Sequence, residues 1–531
     1  MTHTRHAIAR AEPEPSAPVP QSSVWERFHA GADAARVDAP GAPPLNAFAE
    51  TMFTLGAQAF MAGQPVEAEI ALRLSIGAGG NDFAALGLLG LMAIERKDFA
   101  ATVGWLRAAL VINPDEPTTL NNLGEALRRS EQFDDAITCY RRALVVAPSY
   151  ADALDNLGCA LAMAGRPAEA LAYHRRAIAL KPHFALAHER LSEALVGLNR
   201  LEDALRELRR GMVWEPDQPK AKLNEGYILL ALGRFPLGWK AYEARWDAVI
   251  DGAPMVRRHS DHPRWHSRMR LAGKTLLLHA EQGLGDTLQF VRYATPLAEA
   301  GARVIVEAQA PLVPLLRSLH GVAQVVAMDA ALPDFDLQCP LLSLPLVCGT
   351  TLATIPTAVP YLAPPKERIA AWRRRLGRRR PGRRRIGIAW SGNPEHANDR
   401  NRSVPLARLL SFLTRPDCEL HVAQTEIRPA DRATLDHAPQ VTDHSAALRD
   451  FADNAALLSL MDLVISVDTS IVHVAGALAR PTWLLLPFSA EWRWLIGRAD
   501  SPWYPTMRLF RQPAPGDWDG MLAAVARALD A

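Results

Sequence analysis

Residues 117–150 read PTTLNNLGEALRRSEQFDDAITCYRRALVVAPSY, and the segment that begins at Ala151, ADALDNLGCALAMAGRPAEALAYHRRAIALKPHF, repeats the same pattern. One small position shows how far the repetition runs: Gly56, Gly90, Gly124, Gly158, Ser192 and Gly226 stand 34 residues apart. Leucine precedes the first five and Glu225 stands in that place in the sixth. Ala68, Thr102, Ala136, Ala170, Ala204 and Gly238 follow each small position at a constant offset, and Ser75, Ala109, Ala143, Ala177 and Gly211 follow at a second. Small side chains at such offsets let two antiparallel helices cross closely, and Pro114, Pro148, Pro182 and Pro216 stop the second helix of four units. Six units exceed the three or so that a continuous stacked core needs.

Over residues 49–252 this pattern resembles the tetratricopeptide repeat, which implies an all-α solenoid with a concave groove. The sixth unit departs from it, with Glu225 for leucine, Arg245 at the late small position and no closing proline. Its aromatic segment Phe235–Trp246 (FPLGWKAYEARW) suits a terminal repeat packed against whatever follows. Asn122, Asn156 and Asn224 share one place in three repeats, with Arg190 there in a fourth. A carboxamide can donate to and accept from a peptide backbone at once, so these residues are candidates for gripping an extended protein segment. Local packing beside Leu-Gly is the simpler alternative.

Composition narrows the function classes. With 49% hydrophobic and 22% charged residues, a chain of 531 residues should hold two to four cored units. Net charge is only +2, so no global field draws nucleic acid or anionic lipid. Five scattered cysteines without C-x-x-C spacing argue for a reducing, cytoplasmic setting, and against a disulfide framework or structural zinc. The longest uncharged apolar stretch of the first half, Phe83–Ile94, falls short of the roughly 18–20 residues that span a bilayer. Residues 1–48 have no continuous apolar core and read as a flexible arm rather than a secretory signal, with a helical tendency at Ser23–Ala30.

From Lys274 the periodicity changes. Thr275–Ala280, Arg303–Gln309, Val322–Met328 and Phe335–Cys339 read as strands separated by helical segments, which predicts an α/β lobe over 272–365. Arg373–Arg385 (RRRLGRRRPGRRR) has no interleaved aromatics for base stacking, so residues 366–384 read as a solvated linker rather than a nucleic-acid surface. Arg385–Trp390, Glu419–Gln424, Leu463–Val467 and Pro481–Leu486, with a helix over Met521–Leu529, predict a second α/β lobe over 385–531. Two such lobes place a ligand between them, outside the carboxyl ends of the strands.

Three loops should meet there. Gly283-Leu284-Gly285-Asp286 is a strand-to-helix turn whose glycines allow close approach of a ligand and whose carboxylate can accept a proton. A dinucleotide fingerprint would need a third glycine where Leu288 stands. Ser391–Pro405 (SGNPEHANDRNRSVP) concentrates polar donors, among them Ser391, Asn393, Arg402 and Ser403, as a loop that meets a polyanion would, although an ordinary surface loop can look the same. Gln424, ending its strand, belongs to the same side. Asp468-Thr469-Ser470 leads a strand into a helix whose N–H groups and dipole suit a phosphate, while Asp468 suits sugar hydroxyls and His473 lies one turn in. A lone histidine in such a helix is also a common core residue. Asp334-Phe335-Asp336 mimics a metal-binding aspartate pair, but Asp517-Trp518-Asp519 repeats the spacing, and no metal is expected.

Together these loops resemble the heptosyltransferase-like glycosyltransferases (glycosyltransferase family 9), which have the two-lobed GT-B fold of two Rossmann-like domains. The family's Gly-Asp turn matches Gly285 and Asp286, and its Asp-Thr-Gly/Ser-x-x-His-x-x-x-Ala-Leu stretch matches Asp468, Thr469, Ser470, His473, Ala477 and Leu478. Its basic residue three before a proline matches Arg402, arginine here for the usual lysine. The whole chain resembles bacterial tetratricopeptide proteins with a glycosyltransferase-like C-terminus, whose tail motif resembles Glu491–Tyr504 (EWRWLIGRADSPWY), and is more distantly similar to the O-linked N-acetylglucosamine transferases. The resemblance implies sugar transfer from a nucleotide-sugar donor to a protein or glycan acceptor, inverting and without metal or cofactor. It makes Asp286 the base and gives Arg402 and the Ser470 helix terminus the leaving diphosphate. A non-catalytic repeat scaffold with a degenerate glycosyltransferase-like region is the alternative.

Overall fold

A computed structural model describes residues 47–80, 82–250, 253–395 and 398–531. The arm expected over 1–48, with its helical tendency at Ser23–Ala30, lies outside the described residues except for Ala47 and Phe48, which open the first helix. The chain divides into two compact units between Pro216 and Asp217.

The first unit is five helix pairs: α1 Ala47–Met61 with α2 Pro65–Gly77, α3 Asp82–Glu95 with α4 Phe99–Ile112, α5 Pro117–Arg129 with α6 Phe133–Val146, α7 Ala151–Met163 with α8 Pro167–Leu180, and α9 Ala185–Gly197 with α10 Leu201–Trp214. The recurring small residue is where the two helices of a pair touch. A Cβ on Gly56 would lie 2.8 Å from Leu72, on Gly90 2.5 Å from Leu106, on Gly124 2.7 Å from Tyr140 and on Gly158 2.7 Å from His174. A methyl group at any of these positions would push the partner helix away.

The second unit opens with a sixth pair, α11 Pro219–Ala231 and α12 Phe235–Tyr242, and continues into two parallel sheets. A Cβ on Gly226 would meet Tyr242 backbone nitrogen at 2.8 Å, so the last pair crosses in the same way as the others. The first sheet contains β1 Thr275–His279, β2 Arg303–Ala308, β3 Gln324–Ala327 and β4 Leu337–Pro340 in the order β3-β2-β1-β4. The second contains β5 Arg384–Ala389, β6 Cys418–Val422, β7 Val441–Thr442, β8 Leu463–Val467, β9 Thr482–Leu486 and β10 Met507–Arg511 in the order β10-β9-β8-β5-β6-β7. Every pairing within these two sheets is parallel. The central strands β5 and β8 are buried almost throughout, β8 (LVISV) mostly apolar and β5 (RRIGIA) so after its two arginines, as parallel strands covered on both faces should be.

Two expectations need correcting. The arginine-rich stretch is not simply a linker, because α13, Lys366–Leu376, forms there. Its Trp372 is buried and donates to Asp453, and Arg368 pairs with Asp450 and Asp453 on the next lobe, while Arg373, Arg374 and Arg375 are exposed. The strand-to-helix turn read over Gly283–Asp286 is shorter than that, because α14, Leu284–Phe290, already begins inside it; a 3₁₀ turn separates α14 from a second helix, Ala294–Glu299. All five cysteines are unpaired, and among the described residues no helix is long and apolar enough to cross a membrane.

Candidate functional site

Within the second unit, loops at the carboxyl ends of β1, β5, β6, β8 and β9 surround a cavity of about 630 Å³. Gly283, Gly285 and Asp286 line it from the first sheet, and Ser391, Asn393, Arg402, Gln424, Asp468, Thr469, Ser470 and His473 from the second. Ser403 lies just behind, buried, and accepts from Gly392 N at 3.2 Å. The three loops chosen from sequence thus converge.

Asp286 sits in the first turn of α14, where its Oδ2 accepts from Gly283 N at 2.9 Å. The backbone of Gly283 is extended and needs no left-handed conformation. Gly285 serves a close approach of another kind: a Cβ there would lie 2.9 Å from the His473 ring on α15, Ser470–Ala477, so the two lobes touch through these helices. His473 is 5% exposed, its Nδ1 is 2.9 Å from Tyr504 Oη, and its ring stacks on Trp494. Burial, with Arg493 and Arg292 nearby, holds it well below the ordinary histidine range, so it stands as a neutral imidazole.

On the opposite lobe, Gln424 orients the loop after β5. Its Oε1 accepts from Trp390 N at 2.8 Å and its Nε2 donates to Ser391 Oγ at 2.9 Å. Asn393 Oδ1 accepts from Glu395 N at 3.0 Å on the exposed part of that loop. Arg402 lies across Gly392, where a Cβ would come within 2.5 Å of Nη2. Its Nη1 donates to Asp468 O at 3.1 Å, while its buried Nε makes no hydrogen bond. Burial lowers its hold on the proton, which is the cost of keeping a guanidinium in a partly dry wall. Thr469 caps α15 through Ile471 N, and Asp468 Oδ2 accepts from Trp494 Nε1 at 2.8 Å. Burial raises Asp468 above the ordinary aspartate range despite Arg402 beside it.

The sequence reading missed the centre of this arrangement. Glu491-Trp492-Arg493-Trp494 enters the cleft, and Arg493 pairs with Asp286 and Glu491 while donating to Gln289 Oε1 at 2.8 Å. Its guanidinium lies 4.2 Å from the centre of the Trp492 ring. Tyr227 and Tyr242 of the sixth pair also line the cavity, and Tyr242 Oη donates to Gln282 Oε1 at 3.0 Å. Arg245, the residue that broke the repeat pattern, is fully buried and donates to Glu281 at 3.0 Å and to Ser343 Oγ at 2.6 Å. An arginine in place of a small residue was the available signal that this repeat belongs structurally to the α/β region.

Burial raises Glu491 from 4.5 to about 7; Arg493 opposes the shift, and Asp468 and Asp286 add to it. Folded protein therefore keeps a proton here that the unfolded chain has released above about pH 4.5, and this contribution to stability is lost as pH climbs towards 7. Glu491→Gln is expected to remove that slope. Its melting temperature relative to wild type should rise between about pH 5 and about pH 8 in a thermal-unfolding series. Parallel curves would contradict the assignment.

The candidate peptide ladder forms one lateral chain in the first unit. Asn121 donates to Asn122 at 3.4 Å, Asn156 to Asn121 at 3.0 Å, and Arg190 to Asn156 at 3.0 Å and to buried Asp155. Arg190 and His174 outweigh the burial of Asp155 and hold it below its ordinary range. Asn156 and Arg190 are thus committed to each other, Asn122 is half-buried, and Asn224 is buried in the second unit.

Residues 115–183 and 161–223 match tetratricopeptide-repeat family models. Protein FlbA of Caulobacter vibrioides is 28% identical over 330 residues, covering 57% of this chain and 53% of FlbA, so the chain spans about half the length of that curated relative. Among solved structures, MamA is 22% identical, with 30% of this chain and 95% of MamA covered at a TM-score of 0.29. Pseudomonas aeruginosa PilF is 15% identical, with 40% and 90% covered at 0.33. A tetratricopeptide-repeat protein of Parabacteroides merdae is 14% identical, with 40% and 82% covered at 0.36. The helix pairs within residues 115–223 are therefore tetratricopeptide repeats, joined in this chain to a region built on two parallel sheets.

Proposed function

We propose that the α/β region is a GT-B-type glycosyltransferase that moves a sugar from a nucleotide-sugar donor to an acceptor hydroxyl, with the repeats recruiting the acceptor or a partner protein. The observation that carries this reading is the division of chemistry across the cleft. One wall offers a carboxylate fixed by a backbone N–H, Asp286, and the other a half-buried arginine, Arg402, whose Nε makes no hydrogen bond and lies 3.8 Å from Asp399, beside a capped helix terminus. A base on one side and phosphate donors on the other are what transfer from a diphosphate leaving group needs. Asp468, whose carboxyl burial raises above the ordinary aspartate range, lines the same cavity and can accept from sugar hydroxyls.

Titration calorimetry of the full chain with a panel of uridine, guanosine, cytidine, thymidine and adenosine diphosphate sugars tests the reading. At least one donor is expected to bind at micromolar to sub-millimolar Kd, and Arg402→Ala is expected to weaken it by about 10- to 100-fold. One observation favours the scaffold reading instead: both Asp286 oxygens are already engaged, by Gly283 N and Arg493. No donor binding, with protein capture by the repeats intact, would establish that alternative.

A further inference from the structure

Outside the residues that line the cleft, the first sheet carries a second side-chain cluster. His279 ends β1 in register with Glu307 on β2, and both are 1% exposed. The chain before β1 crosses this face and is tied to β4 by Trp265 N to Gln338 O at 2.8 Å and Gln338 N to Pro263 O at 3.1 Å. That crossing brings His259 over the sheet in a left-handed backbone conformation, φ 56°, uncommon for a residue with a side chain. Its Nε2 lies 2.9 Å from Glu307 Oε2. One ligand-type atom from each of His259, His279 and Glu307 lies within 4.8 Å of the other two.

Two details distinguish the cluster from an ordinary ion pair. His279 Nε2 is 3.0 Å from Gln338 Oε1, an acceptor, which puts the hydrogen on Nε2 and leaves Nδ1 as a lone pair; that buried Nδ1 has no hydrogen-bond partner. Arg258 binds Glu307 at Oε1, leaving Oε2 to face His259. A carboxamide fixing the imidazole tautomer and a cation holding the far carboxylate oxygen are the outer contacts that orient metal ligands.

We propose that His259, His279 and Glu307 bind one divalent transition-metal ion of the zinc type, with water completing the shell. Two imidazoles and one carboxylate suit Zn²⁺ at about 2.0–2.2 Å, whereas calcium and magnesium prefer all-oxygen shells. Ligand atoms around a tetrahedral zinc stand roughly 3.3 Å apart, so the widest separation in the cluster, at most 4.8 Å, would close by up to about 1.5 Å on binding. The ion would clamp the segment that leads from the last repeat into β1 onto the sheet beneath it.

Untagged, metal-stripped full-length protein titrated with Zn²⁺ by calorimetry, and with Co²⁺ by visible absorption, tests the site. One equivalent of Zn²⁺ is expected, with Co²⁺ giving the d–d bands of a four- or five-coordinate ion. His279→Ala and His259→Ala are each expected to weaken binding by at least about 100-fold, and Gln338→Ala by about 10- to 100-fold. His259 is half-buried on the covering segment, so His259→Ala decides the matter if His279→Ala fails to fold. Absence of stoichiometric uptake, or uptake undiminished in His259→Ala, overturns the proposal.

Discussion

Arg493→Ala is expected to destabilise the second unit by about 3–5 kcal/mol, the usual cost of removing one partner from a buried ion pair. Arg493 is 9% exposed and joins groups far apart in sequence: Asp286 and Gln289 on α14, and its near neighbour Glu491. Burial works against its charge, but Glu491 and Asp286 outweigh it and hold the guanidinium more firmly protonated than usual. Removing it leaves those two acidic groups, with Asp468, in a largely buried cavity wall without their shared cation. The stacking of the guanidinium on Trp492 is lost as well.

Denaturant unfolding of the full chain followed by tryptophan fluorescence measures this, because Trp239, Trp390, Trp492, Trp494 and Trp503 are all fully buried in this unit. Arg493→Lys keeps the charge but not the planar fork and should lose less than the alanine variant. An unchanged midpoint in Arg493→Ala would show that the buried network contributes nothing to the fold. Adding Glu491→Gln to Arg493→Ala should recover part of the loss, since the neutral side chain no longer needs a cation.

Asp286→Asn is expected to lower sugar transfer by about 10²- to 10⁴-fold while leaving donor affinity near normal, the signature of a lost general base. The geometry allows this separation because Asp286 stands on the first sheet's loop, whereas Arg402, Asp468 and the α15 terminus stand on the second. Asparagine can still accept from Gly283 N but loses the ion pair with Arg493, so the first turn of α14 should persist with a lowered unfolding midpoint, and a near-native circular dichroism spectrum should accompany the loss. Undiminished turnover would remove Asp286 from the proton transfer. Glu491, raised to about 7 in the same cavity, would then be the next carboxyl to test.

Much of the scaffold was legible because its causes are local. Four repeats place a glycine against a side chain of the paired helix, as Gly124 against Tyr140 and Gly158 against His174. β5 and β8 were equally plain, since strands buried on both faces carry mostly apolar segments, Ile386–Ala389 in β5 and Leu463–Val467 in β8. β7 and β10 escaped notice. β7 is only two residues long, and β10 carries exposed Arg508 within it. The three cleft loops could be chosen because each follows a strand that could be recognised, and in parallel sheets such loops share one edge.

By itself, then, the sequence determined the repeat, the two groups of parallel strands and the loops that meet at their carboxyl ends, because period, burial and loop position are set by residues close along the chain. Only the tertiary structure decided that the sixth helix pair belongs to the α/β unit, through Arg245 and Glu281, and that Arg493 reaches Asp286 across 207 residues of sequence. It also decided that Gly285 makes room for His473, and that His259 lies over His279 and Glu307. Those contacts depend on which surfaces fit together once the sheets and helices have formed. Such complementarity leaves no period in the sequence to read.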